Sequence, residues 1–189
     1  MLFVPAHVPR FVERAHARGA DACVLDLEDA VPLAQKAQAR EAVAGAAAAI
    51  AAHRTPVLVR VNQPWDMAAL DIDAAVGTAV SALVLPKVND AATVRQVARR
   101  VDGLEAQRGL PAGHTRLIAL IEDVQALSEL DAIARSTPRM LGMMLGPEDF
   151  SASAGMAPVR EALMLPNQLV LFACRRARRM VCAKASMSP

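Results

Sequence analysis

The 189-residue sequence has no G-x-G-x-x-G loop, no close pair of cysteines, no apolar run long enough to cross a bilayer and almost no net charge. Each absence removes a class of protein. The 21 basic and 19 acidic residues leave a formal charge of +2, so nothing in the overall electrostatics calls for nucleic acid. The one basic cluster, Arg175, Arg176, Arg178 and Arg179, lacks interleaved aromatics and reads as a solvated helix end. Cys23, Cys174 and Cys182 have none of the spacing of metal or redox motifs and read as reduced thiols. The opening Met-Leu-Phe-Val-Pro is too short, and has no basic region before it, for a signal peptide. No stretch reaches the roughly 18 apolar residues of a membrane span, so the expectation is a soluble, cytoplasmic protein. The histidines His7, His16, His53 and His114 show no ligand spacing. His7 alone follows a strand directly, and a lone histidine there is more often a surface or hydrogen-bonding group than a catalyst.

What is present is alternation. Short apolar runs at 2–4, 22–27, 57–61, 82–85, 117–121 and 140–145 read as buried parallel strands. Helix formers fill 10–18, 34–52, 67–75, 91–106, 125–134 and about 160–179, with Asp90 as a helix cap. No linker divides the chain. Such βα units build either an open doubly wound sheet or a closed (β/α)₈ barrel. An open sheet gathers its ligands at one glycine-rich switch point. Here polar groups follow almost every strand: Asp26, Glu28 and Asp29, then Arg60 and Asn62, Lys87, Glu122 and Asp123, and Glu148 and Asp149. Groups on many strand ends favour the barrel, a TIM-type α/β fold of which about six units are present.

Glu122 and Asp149 follow successive strands, and parallel packing brings them to one rim. Two carboxylates at roughly 4 Å and an effective dielectric near 20 repel by about 4 kcal/mol, which favours a shared proton or a cation. Oxygen ligands select a hard ion, Mg²⁺ with Mn²⁺ as the alternative; two solvated loop acids are the plainer reading. Arg60, in the apolar Val-Leu-Val-Arg-Val-Asn, either holds a substrate oxygen or forms an ion pair with Asp26 or Glu28. Three acids in Leu-Asp-Leu-Glu-Asp need cations nearby, which gives Glu28, Asp29 and Lys87 supporting roles around the metal waters and Arg60; capping of the following loop is the alternative for Asp29. Lys87 could also be a Schiff-base nucleophile, but the acids around it favour the ion pair.

Taken in order, Leu-Phe-Val-Pro, Ala-Arg-Gly-Ala-Asp-Ala, Leu-Asp-Leu-Glu-Asp-Ala-Val, Val-Arg-Val-Asn, Leu-Pro-Lys-Val, Leu-Ile-Glu and Gly-Pro-Glu-Asp-Phe resemble the citrate lyase β-subunit-like proteins of the HpcH/HpaI aldolase family, which includes malyl-CoA and citramalyl-CoA lyases. The resemblance runs to about residue 180. It implies Mg²⁺ on Glu122 and Asp149, and Arg60 on the keto-acid part as a catalytic cation. It places the substrate carboxylate on backbone N–H groups around Gly146, Pro147 and Glu148, with Arg10 and Lys36 as weaker candidates for coenzyme A phosphates. The implied reaction is cleavage or formation of a 3-hydroxyacyl-CoA thioester, citramalyl-, malyl- or citryl-CoA, giving acetyl-CoA and a keto acid.

The sequence departs from this pattern at Asp123, where many relatives carry Thr, and after Arg179, where two further strands and a C-terminal segment would follow. Residues 1–180 are therefore expected to form a partial barrel domain and 181–189 a divergent tail. Strands one and six would remain as edges that favour association, most simply as a homo-oligomer. A non-catalytic remnant or assembly subunit is the alternative reading, and a Schiff-base or metal-dependent aldolase of a free hydroxy-keto acid the third.

Overall fold

The computed structural model describes residues 1–181; the expectations for Cys182 and for most of the tail lie outside them. The chain packs as two compact units, residues 1–84 with 100–116, and residues 85–99 with 117–181 of the described part.

In the first unit β1 (Leu2–Pro5), β2 (Cys23–Asp26), β3 (Val57–Arg60) and β4 (Ala82–Leu85) pair in parallel, each with its chain neighbour. Cys23, Val24, Leu25, Val57, Val59, Leu83 and Val84 are fully buried, as strands covered on both faces require. Helices α1 (Pro9–Ala15), α2 (Lys36–Ala51) and α3 (Trp65–Ala75) connect them. α2 buries Ala39, Val43, Ala47 and Ile50, one stripe at helical spacing.

Buried polar groups in this unit tie loops rather than face solvent. Asp71 accepts from Arg40 Nε at 2.8 Å, from the Asn62 amide at 2.8 Å and from Asn62 Nδ2 at 2.6 Å. Asn62 Nδ2 also donates to the Leu27 carbonyl at 3.0 Å, so this strand-end residue fixes the loops after β2 and β3. Glu105 accepts from the Gly113 and Thr115 amides at 2.9 and 2.7 Å and shapes the turn before the next strand.

The second unit carries β5 (Arg116–Ile121), β6 (Met140–Leu145) and β7 (Met180–Val181), also parallel neighbours. α4 (Ala91–Gln107) opens with Asp90 capping the Thr93 amide at 2.7 Å, a bond that holds the Asp90 carboxyl below its usual range. The helix expected over 125–134 is broken: a 3₁₀ turn at Val124–Ser128, capped by Asp123 on the Gln125 amide at 2.9 Å, precedes α5 (Leu130–Ala134). α6 (Pro147–Ser153) is short, and α7 (Arg160–Arg176) buries Leu163, Pro166, Val170, Ala173 and Cys174. α7 stops three residues before the expected Arg179, because Arg178 takes a left-handed φ of 55°.

β7 corrects the expectation that the sixth strand is an edge: Gly142 and Met143 pair with Met180 and Val181. The reason is steric. A Cβ at Gly142 would lie 2.2 Å from the Met180 carbonyl oxygen, so only a residue without a side chain lets β7 approach. No described helix is long and apolar enough to cross a membrane. Gly142→Ala should release β7, destabilise the protein by about 1–3 kcal/mol as overpacking does, and speed amide exchange at Met180 and Val181; unchanged exchange there would show that β7 does not depend on this approach.

Candidate active site

The β2–β3 register sets Asp26 beside Arg60 at the carboxyl ends of the two strands. Asp26 is 1% exposed. It accepts from Arg60 Nε at 2.8 Å and Nη2 at 2.6 Å, and from the Glu28 and Ala30 amides at 2.9 and 3.2 Å. Arg60 Nη1 lies 3.1 Å from both Glu28 Oε2 and Asp29 Oδ2, and the guanidinium stacks 5.2 Å from the Phe3 ring. Burial alone would weaken the hold of Arg60 on its proton, but the bond to Asp26 and the charges of Asp26, Glu28 and Asp29 more than restore it. The ion-pair alternative for Arg60 is thus realised, with all three acids.

Lys36 Nζ donates to the Leu27 and Glu28 carbonyls at 2.7 and 2.6 Å, which gives it the task of clamping the loop after β2. Burial pulls its proton affinity down, against the pull of Asp26, Asp71, Glu28 and Asp29. Arg10 is exposed on α1 with its guanidinium 4.8 Å from the Phe11 ring.

In the second unit Lys87 contacts both Glu122 and Asp149. The Lys87 amide donates to Glu122 Oε2 at 2.7 Å, and its Nζ lies 3.7 Å from Asp149 Oδ2. Glu122 is buried, and it lies so close to Gly146 that a Cβ there would sit 2.5 Å from its Oε1. Asp149 stands in the first turn of α6 with Glu148, and Pro147 begins that helix at a position where no N–H is needed.

The backbone cradle expected over Gly146, Pro147 and Glu148 is smaller than its sequence suggests. The Gly146 N–H donates to the Ile121 carbonyl at 2.9 Å and proline has none, so it reduces at most to the Glu148 amide. Asp123 accepts from the Gln125 amide at 2.9 Å.

Glu122 and Asp149 offer carboxylate oxygens, the donor type that a hard divalent cation takes, while among the described residues no cluster of three His, Cys, Asp or Glu could hold a metal. An ion on these two groups would draw its remaining positions from water or substrate oxygens, the usual state of Mg²⁺.

Several of the other residues singled out in the sequence have structural partners. His16 and His53 stack with centroids 3.6 Å apart, and His114 Nε2 contacts the Gly77 carbonyl at 3.1 Å. His7 Nδ1 is buried without a hydrogen bond. Arg176 pairs with Asp131, Nε to Oδ1 at 2.9 Å, and Arg179 reaches the Ala134 and Thr137 carbonyls at 3.4 and 3.3 Å, so the arginine cluster latches α7 onto the α5 segment.

Sequence reasoning named Asp26 only as a possible partner, whereas it is the hub of its cluster. The signal lay in the strand register, since an acid and an arginine at matching ends of neighbouring parallel strands face the same way. It also gave no sign of the left-handed backbone of Lys87, φ 50°.

Parallel βα units with charged groups at their carboxyl ends define an α/β protein of the TIM-barrel class. The chain belongs to the HpcH/HpaI aldolase/citrate lyase family, whose model matches residues 1–187. It is 32% identical over 180 residues to citrate lyase subunit beta of Leuconostoc mesenteroides subsp. cremoris, covering 94% of this chain and 60% of that protein. It is 34% identical over 162 residues to an L-malyl-CoA/beta-methylmalyl-CoA lyase of Cereibacter sphaeroides, covering 82% and 50%. The chain thus spans half to six-tenths of the length of these relatives. Among solved structures, protein CitE from Mycobacterium tuberculosis in complex with magnesium and acetoacetate is similar at a TM-score of 0.72 and 31% identity, over 95% of this chain and 70% of that one.

Asp26→Asn should destabilise the protein by about 3 kcal/mol, the lower end for breaking a buried pair, because Glu28 and Asp29 still face Arg60. Adding Arg60→Met should recover part of that loss in denaturant titrations; a double variant less stable than Asp26→Asn by the full cost of a second site would show that the pair is not coupled.

Proposed function

We propose that this chain carries the core of a divalent-metal-dependent carbon–carbon lyase, cleaving or forming a 3-hydroxyacyl-CoA thioester of the malyl, citramalyl or citryl type, with acetyl-CoA and a keto acid as the other side of the reaction. The observation that carries the reading is that one residue, Lys87, contacts both carboxylates, Glu122 through its amide and Asp149 through its ammonium. The relatives named for malyl-CoA cleavage and the neighbour holding magnesium and acetoacetate support it.

In this reading Glu122 and Asp149 hold Mg²⁺ or Mn²⁺. The ion, when bound, acts as a Lewis acid on the keto-acid oxygen where charge changes. Arg60, held in a fixed plane by Asp26, is the candidate cation for a substrate oxygen. Glu28 and Asp29 keep that guanidinium oriented, and Glu148 contributes its amide to the substrate carboxylate. Arg10 is the candidate contact for coenzyme A phosphate, while Lys36 acts through the loop it clamps. The working form is a cytoplasmic homo-oligomer, a reading supported by exposed Met164, Leu165 and Phe172 on α7. The ammonium of Lys87 lies 3.7 Å from Asp149 Oδ2, and this ion pair is the reading preferred over a Schiff base.

Melting measured against Mg²⁺ concentration should rise for the wild type, by the equivalent of about 2.7 kcal/mol at a hundredfold excess over Kd, and stay flat for Asp149→Asn. Thioester cleavage would then be followed by mass spectrometry of acetyl-CoA release. A metal-dependent rise without cleavage identifies a metal-binding, non-catalytic subunit. A wild type indifferent to Mg²⁺ removes the metal reading, and a borohydride-trapped pyruvate adduct on Lys87 replaces it with imine chemistry.

A further inference from the structure

We infer that Lys87 is a built-in counter-cation for Asp149, occupying the electrostatic role of the divalent ion there and leaving when that ion binds. The inference rests on the metal reading above and extends it to a residue that would touch neither substrate nor product.

Lys87 makes two unlike contacts. Its main-chain amide, 2.7 Å from Glu122 Oε2, is fixed by the backbone and does not depend on the side chain. Its ammonium, 3.7 Å from Asp149 Oδ2, belongs to a pair whose side chains are 42% and 44% exposed, so water can take over either end of that contact. Glu122 is thus an anchored carboxylate and Asp149 one with an exchangeable partner. The residue sits at φ 50°, a left-handed conformation that glycine adopts with least strain, and such strain in a non-glycine residue points toward a local role. What glycine would not bring is the charge. A lysine suits this task, since its ammonium is a compact charge on a flexible stem that can swing aside, whereas a planar guanidinium locks into its carboxylate. Lys87 is therefore a positioning residue: its ammonium balances Asp149 in the metal-free protein and moves off when an ion arrives.

The test uses the whole chain with Lys87→Met, Lys87→Gly, Asp149→Asn and the Lys87→Met/Asp149→Asn double variant, read by melting in EDTA and by electron paramagnetic resonance of free Mn²⁺. Removing the ammonium should tighten Mn²⁺ roughly two- to fivefold, the size of a screened charge pair. Lys87→Gly should tighten it alike, because Glu122 keeps its amide partner. In EDTA, Lys87→Met should melt about 1–3 °C lower, and that loss should largely vanish in the Asp149→Asn background.

Unchanged or weaker Mn²⁺ binding in Lys87→Met, with a wild type that binds, overturns the exchange and leaves the metal reading standing. A metal-free melting loss of equal size in both backgrounds overturns the pairing with Asp149. Absence of Mn²⁺ binding in wild type and Lys87→Met alike overturns the metal reading and the exchange together.

Discussion

A carboxylate and a guanidinium facing each other from neighbouring parallel strands organise the first unit. Asp26 is removed from water, so its charge must be met within the protein, and it is met by two guanidinium N–H groups and two backbone amides. The pair also fixes β2 against β3: a slip of one residue would turn Arg60 to the opposite face and leave a bare carboxylate in the interior. The turn of the chain through Glu28 and Ala30 follows from the same carboxylate, and Asn62 and Lys36 complete it by taking the carbonyls that the turn exposes. A buried ion pair of this kind is a poor source of net stability; what it specifies is register and direction.

Close approach plays the corresponding part in the second unit, through two glycines on one segment of chain. Gly142 lets a two-residue strand settle against β6, and Gly146 lets the Glu122 side chain lie flat on the main chain. A methyl group at Gly142 would strike backbone and one at Gly146 would displace the Glu122 side chain, and both positions lie on the stretch from β6 into α6 that also delivers Asp149. Strand pairing and carboxylate placement in this unit thus share one steric condition.

Strands were legible because buried parallel strands are nearly unbroken apolar runs; Ala82–Leu85 and Met140–Leu145 have the expected bounds. Three features were not. α6 is seven residues opening with Pro-Glu-Asp, too short to display periodicity. The 125–134 segment is helix-forming in composition, yet Asp123 caps a 3₁₀ turn that ends before Leu130. β7 has no signal of its own, since its partner's glycine makes it possible. At the site, the contact of Lys87 with both Glu122 and Asp149 had its signal in their places after successive strands. Which of Asp26, Glu28 and Asp29 would turn inward did not, because that depends on cross-strand register rather than on local pattern.

The loop after β2 is held at both ends of its polarity: its amides by the Asp26 carboxylate and its carbonyls by the Lys36 ammonium. A segment so fixed has little conformational entropy left to lose when another molecule settles on it. A molecule docking there would meet a rigid surface, its rate set by diffusion and orientation rather than by a slow ordering step, and affinity differences among such molecules would reside chiefly in how fast they leave.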